Sequence, residues 1–385
     1  PFCTRKCDYC AFHSVDRWGR SEQGRVVRKI AADANLLATA DGGVSLELAS
    51  LQYTAGTLYI GGGTPSTLKP ETLGELLTAL RRAFGESDEV TCEANPETAS
   101  EAWLAAAERA GVTRLSLGVQ TLSPQSARLI GRRLTTREEL ERIRSQWRGD
   151  LSADLIVGIP GEVTEELVLA VEFLAALPLE HLSVYDLSLE PGVKLSERLL
   201  PEELRKAEPA WEEICSAIRA AGLRRYEVSN FALPGHESQH NLGYWRAEPY
   251  LGLGPSAVST LPTEGGALRL TQPLDHRRYL LAHPLLDAER EVLTHRDLVA
   301  ESVMLGLRMR DGLNRQAFCD RFGLEVEETF GPTIDQLVGE GLVTLDAAHL
   351  SPTDRGLDLH NLVVARILTS AERRWYRFSS TSSHS

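Results

Sequence analysis

The sequence predicts an α/β fold: a parallel sheet rolled into a barrel or part-barrel, followed by a small α-rich, winged-helix-like region. Three observations carry that expectation. Short apolar runs alternate with helical stretches over residues 1–230, in at least five successive βα units. Each run ends in a glycine-rich or polar turn, and barrels place their chemistry at the C-terminal ends of strands. No G-x-G-x-x-G follows any of them, which argues against a dinucleotide-binding open sheet.

Taken in order, a helical pattern spans residues 26–37, and Leu58-Tyr59-Ile60 reads as a buried strand. It ends in Gly61-Gly62-Gly63-Thr64-Pro65-Ser66, a turn that needs unusual backbone dihedrals. A helix is expected over 71–84, a strand over 90–93 ending in Ala94-Asn95-Pro96-Glu97, and a helix over 100–110. Residues 113–117 form the next strand, ending in Gly118-Val119-Gln120, before helices at 124–130 and 137–146. A strand at 153–157 ends in Gly158-Ile159-Pro160-Gly161, with a helix at 165–176. A strand at 181–189, a long helix at 202–221 and a short strand at 226–229 complete the alternation. Residues 231–262 lack clear periodicity, and 273–293 read as a connector. From 296 an α-rich region begins, with helices at 314–322 and 332–339, a hairpin of 342–345 with 349–351, and a last helix at 354–368. Helices followed by a two-stranded wing resemble a winged-helix module. The organisation expected is therefore a part-barrel (1–230), an extension and connector (231–293), a winged-helix-like domain (294–368) and a polar, disordered tail (369–385).

At 385 residues with 42% hydrophobic and 25% charged residues, the chain has material for more than one core. No apolar run approaches a membrane span and no signal-peptide pattern opens the chain, so a cytoplasmic protein is expected. A net charge of −13 argues against a broad nucleic-acid-binding surface. The chain opens on Pro1 without an initiator methionine, so an upstream segment is expected.

Three of the six cysteines fall in the first ten residues, Cys3, Cys7 and Cys10, spaced C-x3-C-x2-C. Disulfides across such short loops are strained, so the thiolates read as ligands of one metal centre in a reducing compartment. Zinc would want a fourth ligand, for which His13 is the local candidate. A four-iron cluster with one iron left open needs only three thiolates. Cys92, Cys215 and Cys319 sit in apolar or helical contexts and read as inert core residues.

C-x3-C-x2-C with Tyr9 just before the third cysteine resembles the cluster motif of radical S-adenosylmethionine (SAM) enzymes. Gly61-Gly62-Gly63-Thr64-Pro65, Glu93-Ala94-Asn95-Pro96, Gly118-Val119-Gln120, Gly131-Arg132 and Asp154-Leu155-Ile156-Val157-Gly158 are similar to successive motifs of the coproporphyrinogen dehydrogenase branch. Residues 1–12, 226–231, His240-Asn241-Leu242-Gly243-Tyr244-Trp245 and 250–255 resemble the HemW-type heme chaperones within it. The match runs in order over about residues 1–368, the last part resembling a HemN-type C-terminal domain.

The resemblance implies a partial (β/α)6-type barrel, with Cys3, Cys7 and Cys10 holding a [4Fe–4S] cluster whose fourth iron binds SAM. Tyr9, Gly62, Gly63, Thr64, Glu93, Gln120, Arg132 and Asp154 would bind SAM, and His240, Tyr244 and Trp245 would bind heme. Each also has a structural reading: glycines that only make a turn, Glu93 in a rim salt bridge, His240 holding a loop. The partners implied are heme as cargo, a respiratory hemoprotein acceptor and a single-electron donor such as a flavodoxin or ferredoxin. No nucleic acid is expected, and any membrane association would be peripheral, through partners.

At Phe12 the chain goes with the heme chaperones against the dehydrogenases, and at three further places it departs from the family. The dehydrogenases have a fourth cysteine where this chain has Phe12, so oxidative decarboxylation is not expected. Two family histidines are Leu134 and Val258 here, which subtracts polar groups from the expected active face. The family's first barrel strand is not found ahead of the cysteines, so an unpaired barrel edge is expected. The leading expectation is a heme chaperone; the alternatives are oxygen-independent coproporphyrinogen III oxidation and a metal-cluster protein whose winged helix binds nucleic acid.

Overall fold

Five parallel strands, β1 (Thr57–Ile60), β2 (Glu89–Ala94), β3 (Arg114–Gln120), β4 (Asp150–Val157) and β5 (His181–Asp186), form the body of the computed structural model, which describes residues 1–39, 55–200, 202–203 and 211–381. The short strands β6 (Arg224–Arg225) and β7 (Asn230–Ala232) extend the sheet antiparallel, in the order β1-β2-β3-β4-β5-β7-β6. Among the described residues β1 pairs only with β2, so it forms one edge. Helices α1 (Arg20–Ala38), α2 (Pro70–Phe84), α3 (Glu101–Arg109), α4 (Pro124–Leu129), α5 (Arg137–Gln146), α6 (Thr164–Ala176) and α7 (Trp211–Ala220) accompany the strands. This is the partial barrel and mixed α/β class that the alternation predicts.

Local chemistry explains the elements. Helix α2 buries Leu73, Leu76, Leu77, Leu80 and Phe84, an i, i+3, i+4, i+7 stripe, and stops at Gly85 with φ 81°. Helix α5 starts on a reciprocal Thr136–Glu139 capping box. The strands alternate. Cys92, Leu115, Leu117, Leu151, Ala153, Leu182 and Val184 join the main core. The other phase puts Glu93, Ser116, Ser152 and His181 side by side across β2–β5. A one-residue slip would exchange the two faces, so the apolar face fixes the register of the polar one.

Three expectations need correction. The strand expected at 226–229 is a turn between β6 and β7, because Arg225 donates to the Val228 carbonyl and Glu227 accepts from the Ser229 N–H, local bonds that compete with a ladder. Residues 231–293 hold regular structure: α8 (Gln239–Trp245), strands β8 (Val258–Thr263), β9 (Gly266–Thr271) and β10 (Glu289–Thr294), and a short α9 (His276–Tyr279). The β8–β9 turn is Glu264-Gly265, with Gly265 at φ 84°, a two-residue hairpin signal that composition alone hides. Of the polar stretch read as a disordered tail, residues 369–381 continue the last helix and 382–385 lie outside the described residues. Of the helix expected at 202–221, residues 201 and 204–210 lie outside the described residues.

The C-terminal region comprises α10 (His295–Gly306), β11 (Leu313–Asn314), α11 (Arg315–Phe322), α12 (Val326–Gly339), β12 (Val343–Leu345), β13 (His349–Pro352), α13 (Asp354–Asp358) and α14 (His360–Thr381). It has its own core around Val299, Val303, Phe318, Phe330 and Leu350. The wing has a third strand, in the order β11-β13-β12. Helix α12 starts six residues before Pro332, since burial of Val326 and Phe330 outweighs one lost N–H bond.

Candidate functional site

The strand ends and the cysteine loop enclose a cavity of about 500 Å³. Cys3, Cys7 and Cys10 line it as free thiols. Their loop is tied down from several sides. Thr64 donates its backbone N–H to the Phe2 carbonyl (2.7 Å), Trp18 Nε1 donates to the Cys3 carbonyl (2.9 Å), and the Asp8 N–H bonds the Ile130 carbonyl (3.0 Å). Two close approaches require glycine: a Cβ on Gly63 would lie 2.6 Å from the Phe2 carbonyl oxygen, and one on Gly131 (φ 68°) would lie 2.6 Å from the Asp8 carboxyl carbon. The thiols have donors aimed at them. Thr64 Oγ1 lies 3.5 Å from Cys3 Sγ, and Arg132 Nη1 lies 3.6 Å from Cys7 Sγ. No three His, Cys, Asp or Glu side chains among the described residues are grouped as a single metal ion would need. A four-iron cluster makes a different demand, one thiolate on each of three irons.

All eight positions expected to hold SAM line this cavity: Tyr9, Gly62, Gly63, Thr64, Glu93, Gln120, Arg132 and Asp154. Glu93 accepts from Tyr59 O–H (2.8 Å) and from the Gly62 N–H (3.1 Å). Burial pushes its carboxyl up to about 7, against the pull of those two donors. Asp154 accepts from Ser116 Oγ (3.1 Å); burial raises it too, opposed by hydrogen bonds from Ser183 and Ser116 and by the Arg132 charge. Arg132 donates to Asn95 Oδ1 (2.9 Å) and to the Gly118 carbonyl. A Cβ on Gly118 would sit 3.0 Å from both Arg132 Nη2 and Asn95 Oδ1, so this glycine makes room for the guanidinium. Gln120 takes φ 68° beyond a bulge in the β3–β4 register, an uncommon conformation for a residue with a side chain.

Several polar lining residues carried no motif: Tyr59, Ser116, Arg114 and His181. The available signal was period two, which makes Arg114, Ser116, Gly118 and Gln120 polar or small along one strand. His181 is bonded at both nitrogens, to Ser152 Oγ (2.7 Å) and Tyr226 O–H (2.9 Å), and burial pushes its pKa down to about 3, so the ring is neutral.

The structure does not bring His240, Tyr244 and Trp245 into that cavity. Tyr244 and Trp245 line a second one, of about 350 Å³, between α8, the β8–β9 hairpin and α10. His240 stacks on Tyr59 (centroids 4.9 Å, 23°) and meets Tyr244 edge-on (4.8 Å). Its Nδ1 lies 2.9 Å from Thr57 Oγ1, and burial lowers its pKa, leaving a neutral imidazole. Trp245 carries the Arg308 guanidinium 4.3 Å over its ring, and its Nε1–H is buried without a partner.

Phe12 is 70% exposed and lines the mouth of the first cavity. Leu134 lines a separate hollow beside α4 and α5, and Val258 opens β8, so neither replaced histidine position faces the first cavity. Cys92 and Cys215 are buried, burial raising both thiols. Cys319 is not in the core: it is partly exposed and donates to Glu325 (3.1 Å), because its position on α11 faces outward.

Residues 1–174 match the radical SAM superfamily model, and residues 293–359 match that of the HemN C-terminal domain. The heme chaperone HemW of Lactococcus lactis is 33% identical over 380 residues, covering 96% of this chain and 95% of its own. HemW of Bacillus subtilis is 31% identical, with 96% and 97% covered. The mitochondrial radical S-adenosyl methionine domain-containing protein 1 of Bos taurus is 30% identical, with 97% and 87% covered. Among solved structures, coproporphyrinogen III oxidase (HemN) from Escherichia coli superposes with a TM-score of 0.76 over 96% of this chain and 88% of its own. Its identity is 20%, so that likeness speaks for the fold alone.

Proposed function

The chain belongs to the HemW family of the radical SAM superfamily, and on that premise we propose that it binds heme and delivers it to a hemoprotein acceptor, with a [4Fe–4S] cluster and SAM in the first cavity. The observation that carries the heme half is His240. Its Nδ1 lies 2.9 Å from Thr57 Oγ1, and the neutral tautomer that donates Nδ1–H to this hydroxyl would leave Nε2 as the lone pair for iron. Tyr244 meets the imidazole edge-on and, with Trp245, supplies apolar surface to the second cavity, while His240 itself lines neither cavity.

The first cavity fits the cluster and its ligand. Cys3, Cys7 and Cys10 would hold three irons, with Thr64 and Arg132 donating to two of the sulfurs. Gly62 and Gly63 keep the wall free of side chains, Glu93 and Asp154 offer acceptors for ribose hydroxyls, and Gln120 and Arg132 offer donors. Tyr9, half-buried and packed against Ile130, Ile156, Ile159 and Leu195, would shield one side of the iron–sulfur cluster from water. When bound, such a cluster supplies single-electron reducing chemistry to SAM. A flavodoxin or ferredoxin is the class of donor that chemistry calls for. No helix among the described residues is long and apolar enough to cross a membrane. The cytoplasm is the proposed location on other grounds, the reducing compartment that three free thiols in one loop call for, with any membrane contact through a respiratory acceptor.

Phe12 disfavours coproporphyrinogen oxidation, since an exposed apolar ring stands where that branch has a thiol. The net charge of −13 disfavours nucleic-acid binding by the wing. The test is a hemin titration of anaerobically reconstituted protein, comparing wild type with His240→Ala. A Soret shift that weakens about tenfold or more in His240→Ala is expected, and no spectral change in either protein would sink heme binding. Replacing Cys3, Cys7 and Cys10 by alanine should abolish the roughly four irons per chain, while leaving hemin binding in place.

A further inference from the structure

Tyr59 touches both sites. Its hydroxyl donates to Glu93 in the first cavity, and its ring is the face on which His240 stacks. Helix α8 stands between the first and second cavities: its N-cap Ser238 and Asn241 line the first, Tyr244 and Trp245 line the second, and His240 lies between them against Tyr59 and Tyr244. The helix is itself anchored from β2, where Glu89 accepts from the N–H groups of Gln239 (3.0 Å) and His240 (3.1 Å) and from Ser238 Oγ (3.3 Å). Glu89 and Glu93 are four residues apart on one strand, so both lie on its cavity-facing side. The backbone of α8 is thereby fixed by Glu89, and the Tyr59 side chain reaches from Glu93 to the His240 ring.

We propose that Tyr59 is a positioning residue that couples ligand binding at Glu93 to ligand binding at His240. The proposal rests on the two-site reading above. A ligand whose hydroxyls donate to Glu93 favours the carboxylate form. The Tyr59 O–H then donates to a full charge, a shorter and stronger bond than one to a carboxylic acid. Near pH 7 the carboxyl is close to half-protonated, so there is room for that change. A firmly held Tyr59 ring fixes the imidazole between Tyr59 and Tyr244, with Thr57 Oγ1 2.9 Å from its Nδ1. Less ordering is then left for the second ligand to bring about, which is positive cooperativity without a large movement. Linkage requires the effect to be reciprocal.

The experiment uses the reconstituted full chain. Hemin is titrated with and without saturating SAM, and SAM is titrated by calorimetry with and without hemin. In wild type each ligand should tighten the other by about fivefold, the low end of measured couplings. Tyr59→Phe keeps the stacked ring and loses the hydroxyl; SAM alone should weaken, because Glu93 loses a donor, and the mutual effect of the two ligands should fall below about twofold. Thr57→Val disturbs the imidazole without touching Glu93, so hemin should weaken while its dependence on SAM persists. A merely structural Tyr59 would change both affinities and leave their ratio intact. Retained coupling in Tyr59→Phe overturns the proposal, as does absent coupling in a wild type that binds both ligands. Failure of the two-site reading is separately visible, because one single-ligand titration would then be silent.

Discussion

Glu93 holds a proton that the unfolded chain would release. Its folded pKa is raised by burial from 4.5 to about 7. Between those values the native state binds more protons than the unfolded state, so Glu93 makes stability fall as pH rises through this interval and level off above it. The shift corresponds to at most roughly 3 kcal/mol, and partial contact with the cavity reduces it. Glu93→Gln is neutral throughout and keeps an acceptor for Tyr59. The thermal midpoint of the ligand-free variant should therefore gain on wild type between pH 5 and pH 8, while its SAM binding weakens. A difference that does not vary with pH would remove burial of a carboxylate as the cause. Stability and binding pull in opposite directions at this residue, as expected where a site is built rather than a core.

At the scale of elements, the turn after β1 does the most with the least side chain. Thr64 bonds Phe2 through the backbone, and Gly63 lets the two strands of backbone meet. Gly63→Ala places a methyl group 2.6 Å from the Phe2 carbonyl oxygen and 2.7 Å from its nitrogen, where no flexible side chain can yield. The expected outcome is a loss of roughly 1–3 kcal/mol and at least threefold less iron after reconstitution. Gly74, in the interior of α2 with nothing within 4 Å of its added Cβ, is the control; Gly74→Ala should stabilise by up to about 1 kcal/mol and leave iron content alone. The turn was legible in the sequence as glycines, the parallel strands as apolar runs, and the cysteines by their spacing. Tyr59, Arg114 and His181 were not, because a lone polar residue in a strand acquires a role only through register with its neighbours. Residues 231–293 looked featureless for a related reason: β8 and β9 are partly buried antiparallel strands with little apolar surface to bury, and β10 is exposed except at Leu293.

At the scale of the molecule, Glu227 and Arg308 join the sheet, the second cavity and the C-terminal region. Glu227 is 0% exposed, and its carboxylate meets Arg308 Nη2 at 3.2 Å and the Ser229 N–H at 2.8 Å. Around this pair the two chain segments bond backbone to backbone, Val228 N–H to the Arg308 carbonyl and Arg310 N–H to the Tyr226 carbonyl. Arg308 also covers Trp245. Removing the cation leaves a buried carboxylate with one donor, which costs more than the pair contributes. Arg308→Met should therefore destabilise by roughly 3 kcal/mol, the lower end for a broken buried pair, since the Arg308 side chain is 24% exposed. Glu227→Gln combined with Arg308→Met should recover more than half of that loss, because no charge then remains to be compensated. Thermal unfolding of the two single variants and the double variant measures the cycle. Simple additivity would mean that the two regions are held together by packing and backbone bonds alone. Hemin affinity provides the second readout: both variants lacking Arg308 uncover the Trp245 ring, so both should bind hemin differently from wild type even where stability is restored.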